Sequence, residues 1–206
     1  MDRWTVGEMT LLRKLSHPWK VQEWLDSVEY DPDPESRSPR YVMEERRAHC
    51  FEGALFAAAC LREMGHPPLL VDLRAENDDD HVIAVFKEDG LWGSVAKSNF
   101  TSLRFREPIY RSLRELVMSY FDFYFNTIRE KSLRSYSRPL DLSRFDDRDW
   151  MFTEGSLEYI GDELDRTVHY PLISKEMVRK LSLASRSMLE AGLLGSKPEG
   201  LFRPKG

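Results

Sequence analysis

At 206 residues the chain suits one domain, or one domain with an appended helical part, and its net charge of −5 gives no global basic field to draw it to nucleic acid or anionic lipid. The composition, 41% hydrophobic and 32% charged, is that of an ordinary soluble globular protein. No apolar run reaches the roughly 18 residues of a membrane-spanning helix, and the start, Met1-Asp2-Arg3-Trp4, carries no secretory apolar core.

Residues 1–30 read as helical. Met9, Leu11, Leu12 and Leu15 form one apolar stripe, and Pro18 opens a second helix carrying Val21, Trp24, Leu25 and Val28. Residues 31–40, rich in Pro, Asp and Ser, read as a connector or as a loop bordering a site. Residues 49–61 predict a helix that is apolar on nearly every side after its first turn, hence a core helix, stopped by Gly65, Pro67 and Pro68. Strands are predicted over 69–73, 81–86 and 91–96, the last two joined by a hairpin turn at 87–90 with Asp89-Gly90 as its signal. A helix followed by strands is an α+β pattern.

Residues 101–138 hold eight Lys/Arg against four Asp/Glu, and 112–127 predict a helix with a heavy aromatic face. Basic residues beside aromatics can stack on single-stranded nucleic acid, but in an acidic chain the expected role is core packing with solvated arginines. Residues 139–155 read as loop; Asp146, Asp147 and Asp149 lack EF-hand spacing and read as a solvated turn. Helices are expected over 157–168 and 174–191, with Ser174 as an N-cap, Gly192 and Gly195 as the stop, and a frayed tail from Ser196. The organisation is therefore N-terminal helices and loop (1–40), a core with its Arg/aromatic helix (41–138), and a C-terminal helical extension packed on the same domain (139–206).

Cys50 and Cys60 lie ten residues apart on one helix, about 15 Å, which is too far for a disulfide. Two cysteines at that spacing make no zinc site, and neither metal nor cofactor is expected. A reducing, cytoplasmic setting follows. Cys50 stands at a helix start, where unpaired N–H groups and the positive end of the macrodipole favour a thiolate, so it is a candidate nucleophile. His81, opening a strand 31 residues later, is the candidate base. His49 adjoins Cys50, but neighbours on a helix point about 100° apart; His17, His66 and His169 sit in proline- or turn-rich contexts.

Cys50 at the head of an Ala-rich helix, a strand, His81 heading Val82-Ile83-Ala84-Val85-Phe86, and Trp92 beyond the turn resemble, over residues 41–100, the transglutaminase-like superfamily. The resemblance implies a papain/transglutaminase-like α+β core, a buried Cys helix packed on an antiparallel sheet, with additional N- and C-terminal helices. It implies a cysteine hydrolase or acyltransferase acting on an amide or peptide bond, a protein substrate included. Cys50 would be the nucleophile, His81 would take and return the proton, and the Cys50 N–H would help hold the oxyanion. The family's acidic third member falls on Ala96 here. With Lys87 opposite Leu91, Lys97 faces His81; a one-residue shift brings Ala96 or Ser98. Ser98 or Asn99 could orient His81, as in a Cys-His-Asn arrangement, and Asp79 or Asp80 could supply charge from the turn. Without an acidic orienter, the alternative is a catalytically degenerate fold kept as a binding or scaffold module.

Overall fold

The structure is a computed structural model describing residues 4–205; residues 1–3, part of the predicted N-terminal helical region, and residue 206 lie outside the described residues. Among the described residues the chain forms α1 (Val6–Lys14), α2 (Pro18–Asp26), β1 (Glu29–Tyr30), α3 (Pro39–Glu45), β2 (Arg47–Ala48), α4 (Cys50–Glu63), β3 (Leu69–Ala75), β4 (His81–Glu88) and β5 (Leu91–Val95). It continues with β6 (Arg106–Tyr110), α5 (Leu113–Phe121), β7 (Leu133–Ser137), β8 (Leu140–Asp141), α6 (Glu158–Arg166), β9 (His169–Pro171), α7 (Lys175–Val178) and α8 (Arg186–Gly192). The class is α+β.

The helices start where local chemistry directs. Thr5 and Glu8 form a capping box for α1, Pro18 occupies the first turn of α2, and the Ser38 hydroxyl accepts from the Tyr41 N–H ahead of α3. The α3 helix lies partly within and just beyond the predicted loop 31–40. The expected single helix over 174–191 is instead two short helices, α7 and α8. Between them the Ala184 N–H donates to the Arg129 carbonyl, so the chain there docks against a neighbouring loop rather than bonding to itself.

Among the described residues, the main sheet runs β6-β5-β4-β3-β7-β9, with β8 also on β3, and every pairing in it is antiparallel. The residues of β4 alternate between two apolar layers. Val82, Ala84 and Phe86 face α4 with Leu70, whereas Ile83 and Val85 face α5 with Val71 and Leu73. Residues 51–61 of α4 are all buried, between the sheet on one side and α2, α3 and α6 on the other. The β4–β5 turn is shorter than expected: Lys87 lies opposite Trp92 and Glu88 opposite Leu91. Asp89 and Gly90 alone make the turn, both with positive φ (49° and 80°).

Gly53 marks the closest approach of α4 to the chain beyond β5. A Cβ there would stand 2.2 Å from the Lys97 Cβ, and Lys97 cannot swing away. Its buried ammonium donates to the Leu25 carbonyl at 2.8 Å and to the Val28 carbonyl, closing the C-terminal end of α2. Gly53→Ala should therefore destabilise by about 1–3 kcal/mol, although alanine is the better helix former by about 1 kcal/mol. Thermal unfolding checks this, and a raised midpoint would refute it.

Candidate functional site

The site forms where α4 begins, beside the β3–β4 turn. A cleft of about 550 Å³ opens there, lined by Cys50 and His81 together with the 31–34 loop, the 78–80 turn and residues 98–100. Its far wall is residues 199–202, from the segment expected to fray.

His49 is the N-cap of α4. Its Nδ1 accepts from the Phe51 N–H at 3.2 Å, which fixes the proton on Nε2, and Nε2–H donates to the Glu35 carbonyl at 3.1 Å. Glu52, three residues on, accepts from the His49 N–H at 3.2 Å and completes a capping box. Glu52 is fully buried, and burial pushes its carboxyl up to about 7 against the lowering effect of the His49 and Arg37 N–H groups. Arg37 faces it: Nη1 lies 3.7 Å from Glu52 and 3.6 Å from the buried Asp31, while Nη2 bonds Asp33 at 2.6 Å and Glu35 at 2.8 Å. Arg47 bonds Asp31 from the other side at 2.8 Å. This ion cluster holds the 31–37 loop as a wall of the cleft.

Cys50 is half-buried, with its Sγ 3.9 Å from the Asp80 carbonyl. Burial pushes the thiol up to about 11; the Val82 and Phe51 N–H groups pull it down, and the charges of Asp79 and Asp72 push it up again. The helix N-terminus is thus outweighed by desolvation and by acidic neighbours. His81 shares the parity of Ile83 and Val85, so its side chain points away from α4. Its ring meets Tyr124 edge-on, centroids 6.4 Å apart, and Nε2–H donates to the Leu103 carbonyl at 2.9 Å. Burial lowers the imidazole to about 4, opposed by the Leu103 bond and helped by the charge of Arg106. Among the described residues no hydrogen bond joins Cys50 to His81.

Neither Family model nor curated protein matches the chain.

The candidate orienters are engaged elsewhere. Continuing the β4–β5 register puts Ser98, not Lys97, opposite His81, but the Ser98 hydroxyl accepts from the Phe100 N–H at 3.0 Å. The Asn99 side chain bonds the main chain of Lys197. Ala96, at the position of the expected acid, is buried in the α5 layer, and its N–H donates to Gln22. Asp80 accepts from the Ala75 N–H at 2.7 Å, and Asp78 from the Ser132 hydroxyl at 2.6 Å. The carboxyls of Asp78, Asp79 and Asp80 are all raised, chiefly by burial.

A different imidazole–carboxylate pair stands on the α4 side of the sheet. His169 Nε2 lies 3.0 Å from Asp72 Oδ2, and His169 Nδ1 lies 2.6 Å from the Thr167 carbonyl. Each ring nitrogen thus faces an oxygen. No local signal in the sequence pointed to this pair; β9 brings it together. Among the described residues no three of His, Cys, Asp and Glu converge to hold a metal ion, and no helix is long and apolar enough to cross a membrane. In the basic, aromatic section Tyr120, Phe121, Tyr124 and Phe125 are buried, and Arg104, Arg106 and Arg114 bond within the chain.

Proposed function

We propose that the chain is a binding module built on a papain/transglutaminase-like core, in which the cleft over α4 takes a ligand and Cys50 does not act as a nucleophile. The fold part of this reading rests on the order of parts: a thiol heading a buried helix, then an antiparallel strand headed by a histidine. The functional part rests on one observation. The thiol and the imidazole are each turned to a different main-chain oxygen, Asp80 and Leu103, and not to each other. A thiol raised to about 11 and an imidazole lowered to about 4 are both neutral at pH 7, whereas acyl transfer needs a thiolate–imidazolium pair or a base poised to make one. The cytoplasmic setting expected from two unpaired thiols belongs to the same proposal.

A second reading, a cysteine hydrolase or acyltransferase on amide or peptide bonds, is favoured by the shared cleft of Cys50 and His81 and by the two N–H groups at the sulfur. It requires the His81 ring to leave Leu103 and turn through the sheet edge. Iodoacetamide labelling separates the two. At pH 7.5 Cys50 should react roughly 100-fold more slowly than a free thiol of ordinary pKa, with the rate rising about tenfold per pH unit and unchanged in His81→Gln. Rapid labelling that is flat between pH 6 and 8 and lost in His81→Gln would establish the enzyme reading instead.

A further inference from the structure

The segment 197–205, of which residues 199–202 line the cleft, is attached at both ends by asparagine side chains. The Asn99 side chain holds both main-chain groups of Lys197: Nδ2 donates to its carbonyl and Oδ1 accepts from its N–H, each at 2.8 Å. Asn77 does the same to Lys205, at 3.0 Å and 2.8 Å. A carboxamide presents one donor and one acceptor side by side, as a neighbouring strand residue does, so each clasp reads main chain and not side chain. Asn77 takes a left-handed φ of 56°, which asparagine tolerates, and its Nδ2 also donates to Glu130.

Between the clasps the segment makes a 3-10 turn over Pro198–Gly200 and then runs on through Leu201 and Phe202, both half-buried, along the cleft. Gly200 lies flat on the Tyr30 ring, where a Cβ would stand 2.6 Å from Cε1. One ion pair, Lys197 with Glu29, completes the attachment. Strand pairing to the sheet plays no part in holding these residues, and segments held without it open at lower cost than core strands.

We propose that the cleft is a peptide-binding site, that Asn99 and Asn77 are its recognition device, and that residues 197–205 are its built-in occupant. The ligand class is a polypeptide whose main chain spans the two clasps and which carries glycine over Tyr30 followed by two large apolar residues. This inference rests on the binding-module reading and names its ligand. A peptide in trans competes with an occupant tethered at an effective concentration of order millimolar, so the free site shows itself only when the tethered copy is displaced.

Gly200→Val in the full chain does this, because a side chain there meets the Tyr30 ring and stands 3.2 Å from Asn99 Nδ2, against which the tethered segment can no longer seat. A fluorescein-labelled peptide covering residues 196–205 should bind Gly200→Val at least roughly tenfold more tightly than the wild-type chain by anisotropy. The gain should vanish when Asn99→Ala and Asn77→Ala are added, or when the peptide itself carries valine at the glycine. Equal binding by wild type and Gly200→Val, or binding unaffected by the two alanines, overturns the proposal. Should Gly200→Val fail to fold, Asn99→Ala in the otherwise unaltered chain serves. Chymotrypsin should then cut after Phe202 at least roughly tenfold faster than in wild type, because local opening sets the rate, and an unchanged rate overturns the proposal. Mass spectrometry of the bound peptide keeps the two readings apart. A cleaved peptide or a Cys50 adduct supports the peptide site while removing the non-catalytic reading; an intact peptide with no binding removes the site alone.

Discussion

Arg37→Met should lower stability by about 3–5 kcal/mol at pH 8, a fall of about 10 °C in melting temperature for a chain of this size. The guanidinium stands over Glu52 and Asp31, 0% and 1% exposed, while its own side chain is 18% exposed. Removing it leaves the buried Glu52 without a cation and Asp31 with Arg47 alone, and a buried charge without a partner costs more than the pair was worth. The deficit should depend on pH. Glu52 has a folded pKa of about 7, above its unfolded value, so its contribution is fully present below about pH 4.5 and is lost as pH rises through 7. Without Arg37 that window moves higher, so the variant should recover part of its deficit at pH 5.5, where Glu52 is neutral in both proteins. Arg37→Met with Glu52→Gln should likewise be more stable at pH 8 than Arg37→Met alone. Urea unfolding at the two pH values measures both effects. A loss under about 1 kcal/mol, or one identical at pH 5.5 and pH 8, would show that this cluster does not hold the cleft wall.

The second large effect comes from His81. Its folded pKa of about 4 lies below the unfolded value of about 6.5. A lowered pKa gives stability that is complete above pH 6.5 and is lost as pH falls through 4, because the unfolded chain takes up the proton first. His81→Gln removes that titration and leaves an amide able to bond the Leu103 carbonyl. The stability of wild type minus that of His81→Gln should therefore fall by about 3 kcal/mol between pH 7.5 and pH 4. The difference between the two proteins is the quantity to follow, since Asp72 and Asp78, each raised to about 6 mainly by burial, push the other way. Their stability is present at low pH and is lost as pH rises. A flat difference would mean that His81 is solvated or paired with an acid, as a catalytic base would be.

Much of the fold was legible. The apolar run from Phe51 to Leu61 has no polar side to show to water apart from its first turn, so it could only be a core helix, and Asp89-Gly90 could only be a tight turn. Harder to read were β6, β7 and β9. Strands such as Arg106–Tyr110 and Leu133–Ser137 are short and mixed in polarity, and what makes them strands is the neighbour they pair with. The capping box of His49 and Glu52 was visible in principle as a residue that can cap followed three later by Glu. At the site, the order Cys50 then His81 was legible, but their relation was not. A strand places alternate side chains on opposite faces, and the parity of His81 with Ile83 and Val85 turns it from α4.

What the amino-acid sequence determined by itself was local: where helices begin, which stretch must be buried, which turn closes the hairpin, and that a thiol heads the central helix. The tertiary structure alone decided what each polar group of the site bonds to. Asn99 meets Lys197 across 98 residues, Asn77 meets Lys205 across 128, and His169 meets Asp72 across 97. Contacts at such separations leave no periodicity or spacing behind, because a side chain's partner is chosen by how the layers pack and not by what stands beside it in the chain.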